Sequence, residues 1–359
     1  MTVAVVPSRV QAPAPEPKPP VDPKPAGHPI VRVGKVGVLL VNLGTPDGTD
    51  YWSIRRYLSE FLSDRRVIEL SPWLWQPILQ GVLLTLRPQK TGRAYQVVWC
   101  KERNESPLKT ITRAQAEGLG RRFGDTVEVD WAMRYGSRPI DSRLVALKSA
   151  GCDRILVVPL YPQYSATTTA SVSDAVNRHM ARERTQPALR FLPAYHDQPA
   201  YIEALARTVR KHLASLPWRP EVILASFHGL PEDSLTKGDP YHCQCHKTVR
   251  LLREALGLSD QELRLSFQSR FGPKQWLKPY SVDVVEDLGR QGIKRLAVIS
   301  PGFSADCLET LEEIKVGLAE TFEEHGGEQF SYIPCLNDSD TGLDMLEALV
   351  RQELGGWIA

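Results

Sequence analysis

The sequence predicts an α/β fold of two related Rossmann-like halves, each a parallel sheet flanked by helices, with a ligand cleft between them. Three observations predict it. From Gly34 onward, short apolar runs alternate with longer amphipathic stretches, the pattern of parallel strands joined by helices. Runs such as VGVLLV and ILVVPL lack polar alternation, as strands covered on both faces do. The runs also fall into two triplets whose ends match in the same order.

Taken from the N-terminus, residues 1–30 hold a large share of the chain's 28 prolines, in PAPEPKPPVDPKPAGHP, and offer little to bury. That segment is expected to be a disordered or polyproline tail. A first half over 31–190 carries strands at Val36–Gly44, Val127–Tyr135 and Arg154–Pro162. A second half over 191–359 carries strands at Glu221–Gly229, Leu263–Phe271 and Lys294–Gly302. The first strands of the halves end in NLGTP and FHGLP, the second in Arg134-Tyr135-Gly136 and Arg270-Phe271-Gly272. The third pair aligns GCDRILVVPLYPQYSA with GIKRLAVISPGFSA. Helices are expected at Pro199–Leu216 and Thr248–Leu256.

The halves differ in an insertion at about 47–109 that carries Trp52, Trp73, Trp75 and Trp99. Its stretch SPWLWQPILQGVLLTL is interrupted by Pro72, Gln76, Pro77 and Gln80 and falls short of the ~20 apolar residues a membrane span needs. It suits a buried or cleft-lining helix, or an apolar lip touching a lipid surface or a greasy ligand. An aromatic insertion over a cleft points to a large, flat, apolar substrate.

The 359 residues are enough for two cores, and a net charge of +2 excludes a general electrostatic binder of nucleic acid. Six cysteines are too few for a disulfide scaffold and fit a reduced, cytoplasmic compartment.

Ligands of open parallel sheets bind beyond the carboxyl ends of the strands, so polar residues there are the candidates for chemistry. His228 ends an apolar strand, where an imidazole faces a ligand as base or metal ligand; most lone histidines do neither. In PGFSADCLETLEEI, Ser304 can cap a helix that places Glu309 and Glu313 one turn apart, with Glu312 beside them. The plain reading is a solvated acidic face. The sharper one is a carboxylate row that passes protons or a hard divalent cation. In GDPYHCQCHKT, Cys243 and Cys245 lie beside His242 and His246, with Cys152 and Cys335 as the best distant partners. Free buried thiols are the common fate of such residues; a zinc or iron–sulfur centre is the alternative.

The stretches LLVNLGTP, LVVPLYPQYSATTT, ILASFHGLP, KGDPY, FQSRFGPKQWLKP and PGFSADCLETLEEI closely resemble the ferrochelatases, from about Lys35 to the C-terminus. The resemblance implies a chelatase-type fold and the insertion of ferrous iron into protoporphyrin IX, with release of two protons and no cofactor beyond the substrate Fe2+. It implies that His228 is the active-site histidine, accepting pyrrole protons or ligating iron. Glu309 corresponds to its carboxylate partner across the ring, with Glu313 continuing an acidic conduit. Tyr161, Gln163, Tyr164 and Ser165 match the pocket wall, Arg134 and Ser106 the propionate-holding positions, and Trp276 and Phe303 the aromatics near the ring. Arg87 and Lys90 are weaker propionate candidates. Leu43, where coproheme-forming members carry tyrosine, favours protoporphyrin IX over coproporphyrin.

Ala166 stands where the animal enzymes place a cluster cysteine, so that cluster type is not expected. A differently ligated [2Fe–2S] cluster on Cys152, Cys243, Cys245 and Cys335 stays open. Beyond the porphyrin and iron, the expected partners are a membrane surface at the lip and, in a homodimer, a second copy; a monomer is equally compatible. Competing readings are a chelatase for coproporphyrin or a cobalt corrinoid precursor, and a porphyrin carrier or sensor without turnover.

Overall fold

Among the described residues eight strands, two more than the apolar runs announce, carry the fold. β1 (Lys35–Thr45), β2 (Val127–Gly136), β3 (Cys152–Pro159) and β4 (Ala188–Phe191) form one sheet in the order β2-β1-β3-β4. β5 (Val222–His228), β6 (Leu263–Gln268), β7 (Arg295–Ile299) and β8 (Gln329–Ile333) form a second in the order β6-β5-β7-β8. All pairings are parallel, and the two orders are the same once renumbered. This identity of topology is the structural form of the repeat seen in the strand ends. The two extra strands are short sheet edges with mostly half-buried side chains, which is why no apolar run marks them. All eight lie in one compact unit, Arg32–Ala359. The structure, a computed structural model, describes residues 33–358 and Gly27; the proline-rich tail expected over 1–30 lies, Gly27 apart, outside the described residues.

The central strands are buried on both faces because helices cover both. One core joins the two sheets, filled by helices Pro107–Phe123, Pro199–Ser215, Tyr241–Leu256 and Asp340–Glu353. Leu119, Val209, Leu252 and Leu346 stand in it at 0 % exposure and anchor those four helices. The outer face of each sheet has its own core, built with Leu144 and Val176 on the first and Val285 and Ile314 on the second. The last helix returns to the first half, where Arg154 and Arg190 donate to the carbonyls of Trp357 and Glu353.

The insertion folds as helices over Tyr51–Leu62, Pro72–Ile78 and Leu84–Val98, the last two joined by a π-helical turn at Leu79–Leu83. Its inner face packs Ile54, Tyr57, Leu58 and Tyr95 against Leu43 and Leu308. Its outer face leaves Trp73 90 %, Leu74 70 % and Leu86 70 % exposed. Among the described residues no helix is long and apolar enough to cross a membrane.

Candidate active site

β5 leaves its sheet at His228, opposite Gln268 at the end of β6. His228 Nδ1 lies 2.7 Å from the Gly229 carbonyl oxygen. A carbonyl can only accept, so Nδ1 carries the proton and Nε2 of the neutral ring keeps its lone pair. Gly229 must be glycine here, because a Cβ would stand 2.7 Å from the Gln268 carbonyl oxygen and 3.2 Å from Trp276 Cε3. Trp276, held by its indole N–H to Phe271 O at 2.7 Å, thus packs on Gly229, the residue after the histidine.

Glu309 and Glu313 lie on a π-helical segment, Glu309–Leu318. Gln268 Nε2 donates to the Glu309 carbonyl at 3.0 Å and reaches Glu313 Oε2 at 3.4 Å. Glu313 also accepts from Ser269, from its N–H at 2.7 Å and its hydroxyl at 2.5 Å. Gln268 is thus the link between the histidine strand and the carboxylate helix, and its own Oε1 is taken by Ser226 Oγ at 2.9 Å. Beside them, burial raises the Glu312 carboxyl, with Glu313 and Glu309 adding and Lys90 opposing. Glu309, Glu312 and Glu313 therefore lie near one another on this segment, with Glu313 turned to Ser269. Ser304 does not cap their helix: it lies in a loop before it, its buried hydroxyl unbonded, its carbonyl taken by Gln115 and Asn337. Thr310 Oγ1 accepts from the Cys307 N–H instead.

The first half closes on the carboxylates through two tyrosines of the insertion. Burial pushes the Tyr57 and Tyr95 phenols well up, and the charge of Glu309 acts on both. Tyr57 donates to the Gly44 carbonyl next to Leu43. Tyr161 is near the same group, its hydroxyl buried and making no hydrogen bond within the protein. Phe303 is half-buried against the shared core. Gln163 and Ser165 turn into the protein rather than outward: Gln163 Nε2 donates to Thr248 at 3.1 Å and Ser165 to Asp239 at 3.3 Å. The Tyr164 N–H donates to Gln244 Oε1 at 2.6 Å.

Arg134 and Ser106 are engaged locally. Ser106 caps helix Pro107–Phe123, accepting from Lys109 N at 3.3 Å. Arg134 Nη2 bonds Asp64 at 2.5 Å, and its Nε bonds Ser171 Oγ at 2.7 Å. Burial alone would raise the Asp64 carboxyl; bonds from Ser171, the Arg66 N–H and Tyr135, with the Arg134 charge, hold it below its ordinary value. Arg134 lines a cleft of about 1090 Å³ together with Trp52, Arg55, Arg66 and Arg178; His228 and Glu309 do not line it. Arg87 stacks its guanidinium 3.8 Å from the ring centre of Phe271, bridging the insertion to the second half.

The cysteines do not form a cluster site. Cys152 packs on Gly37 in the outer core of the first sheet, whereas Cys245 lies in the shared core. Cys335 bonds Tyr332, and Cys243 is exposed. The C-x-C pair sits on a helix, where a spacing of two sends the side chains to different faces. Among the described residues no three His, Cys, Asp or Glu side chains gather to hold a metal. A [2Fe–2S] cluster on these four residues does not fit.

Sequence reasoning missed Gln268, Tyr57, Tyr95, Asp239 and Tyr241. For Gln268 the one available signal was a glutamine ending a strand otherwise buried; for Asp239 and Tyr241 it was the GDPY turn itself.

The Ferrochelatase family pattern matches residues 35–354. A ferrochelatase of Rhizobium etli is 59 % identical over 337 residues, covering 93 % of this chain and 98 % of the relative. Those of Agrobacterium fabrum and Brucella ovis are 58 % and 56 % identical, covering 93 % and 92 % of this chain and 98 % and 95 % of theirs. Among solved structures, SirB of Bacillus subtilis with Fe3+ superimposes with a TM-score of 0.54 at 13 % identity, over 89 % of this chain and 95 % of SirB. A second, the sirohydrochlorin chelatase SirB from Bacillus subtilis subspecies spizizenii in complex with cobalt, gives 0.53 at 11 %, over 90 % and 98 %. At such identities the likeness concerns the fold, two parallel sheets flanked by helices. With the match spanning nearly all the described residues, the chain belongs to the ferrochelatase family.

Proposed function

We propose that this chain inserts ferrous iron into protoporphyrin IX, yielding protohaem and two protons. The observation that carries the reading is the 2.7 Å contact of His228 Nδ1 with the Gly229 carbonyl, which assigns the proton to Nδ1 and leaves Nε2 as the nitrogen offered to a substrate. As iron enters the ring the two pyrrole N–H groups must lose their protons, and a neutral imidazole near pH 7 is suited to take them. Gln268 ties the Glu309 backbone to the histidine strand, and in this reading Glu309, with Glu313 and Glu312, forms a carboxylate row along which protons leave. In this reading His228 and Glu309 also meet the incoming iron.

Leu43, Tyr161, Tyr164, Trp276 and Phe303 pack on the ring, with Gln163 and Ser165 supporting their wall from behind. For the propionates, Arg87 and Lys90 at the insertion serve first; Ser106 and Arg134, bonded respectively to Lys109 N and Asp64, would have to exchange those partners to hold them. An apolar ring bent against such faces exposes its lone pairs, the strain being offset by contacts remote from the metal.

The exposed Trp73, Leu74 and Leu86 form a lip for peripheral contact with a bilayer, in a protein working at the cytoplasmic face. Anaerobic assay of the purified chain with ferrous iron tests the reading: haem should form from protoporphyrin IX. Turnover of coproporphyrin alone would move the assignment to that substrate.

A further inference from the structure

The peptide joining His228 to Gly229 is held at both ends. Its carbonyl oxygen accepts from the Tyr241 hydroxyl at 2.9 Å, and its N–H donates to Gln268 O at 2.8 Å. The next carbonyl along, that of Gly229, is the one that takes His228 Nδ1–H. The orientation of this short stretch of backbone therefore sets which imidazole nitrogen carries the proton. Tyr241 is buried at the start of helix Tyr241–Leu256, and its own N–H donates to Asp239 Oδ1 at 3.0 Å. Asp239 Oδ2 reaches the other half, accepting from Ala166 N at 2.7 Å and Ser165 Oγ at 3.3 Å. One carboxylate thus ties the Tyr164–Ala166 wall to the helix that holds His228.

We infer that Tyr241 is a positioning residue for His228, fixing its Nδ1–H tautomer and the aim of Nε2, and that Asp239 fixes Tyr241 relative to the opposite wall. This rests on the reading of His228 as the proton acceptor. A buried tyrosine bonded to a carbonyl is often merely structural. The two roles differ in what they predict. A structural bond changes melting alone, whereas a positioning bond changes the tautomer and kcat.

The test uses the full chain labelled with 15N-histidine, as wild type, Tyr241→Phe, Asp239→Asn and His228→Ala. Long-range 1H–15N spectra, taken where imidazoles are neutral, report the tautomer, and the signal missing from His228→Ala is that of His228. Wild type should show protonation at Nδ1. Tyr241→Phe should show a mixture of tautomers. Its kcat should fall about tenfold with the porphyrin KM kept within about twofold, since a small misplacement costs turnover more than binding. Asp239→Asn should move the same quantities in the same direction and supplies the test if Tyr241→Phe does not fold. An unchanged tautomer, or an unchanged kcat, in a folded variant overturns the inference. Full activity in His228→Ala would overturn the reading of His228 itself, a result separable from the tautomer measured in Tyr241→Phe.

Discussion

Gln268 Nε2 donates to the backbone carbonyl of Glu309 at 3.0 Å, while Gln268 itself stands opposite His228 in the β5–β6 register. One neutral amide therefore ties the end of the histidine strand to the backbone of the helix that carries Glu309. It does so without adding a charge that would compete for protons or iron. Both ends of the amide are used, since Oε1 is taken by Ser226.

Replacing Gln268 with leucine should remove the donor to the Glu309 carbonyl and to Glu313 in a buried site, while Ser226 keeps only its bond to Ser281. The expected cost is about 1–3 kcal/mol in urea unfolding, with a larger fractional loss in kcat than in porphyrin affinity. An equal loss in both would reduce Gln268 to general packing.

The strands of the shared core were legible because burial on both faces leaves uninterrupted apolar runs, as at Val36–Val41. β4 and β8 were not, since Ala188–Phe191 and Gln329–Ile333 are short, half-covered edges. That His228 ends a strand and that Glu309 and Glu313 share one helical segment were legible because strand ends and helical spacing are local properties. Gln268 and Asp239 act across long sequence separations, and nothing in their immediate neighbours records what they touch. The Ser304 cap failed for the same reason: Gln115, far away in sequence, holds that loop by the Ser304 carbonyl.

The Asp64–Arg134 pair makes stability depend on pH in a defined direction. The folded-state carboxyl lies below its unfolded value, so its contribution is full above an unfolded pKa of about 3.9 and is lost as pH falls through the folded value. Both side chains are about nine-tenths buried. Asp64→Asn should cost about 3 kcal/mol at pH 7, because it leaves Arg134 uncompensated. The gap to wild type in denaturant unfolding should close below pH 4; a gap independent of pH would contradict the pair's role.

The lip should matter to surfaces and not to folding. Trp73→Ser with Leu74→Ser removes two of its most exposed apolar side chains. Co-flotation with phospholipid vesicles should fall several-fold, with melting unchanged, because neither side chain is buried. Undiminished flotation would remove the lip from membrane contact.

The most direct measurement is anaerobic turnover of protoporphyrin IX and ferrous iron by His228→Ala beside Glu309→Gln and wild type. His228→Ala should lose at least about 10²-fold in kcat, the scale of a positioned general base, while still binding the porphyrin. Glu309→Gln should fall by a similar factor. Haem formation by His228→Ala at the wild-type rate would contradict the assignment of the pyrrole protons to His228.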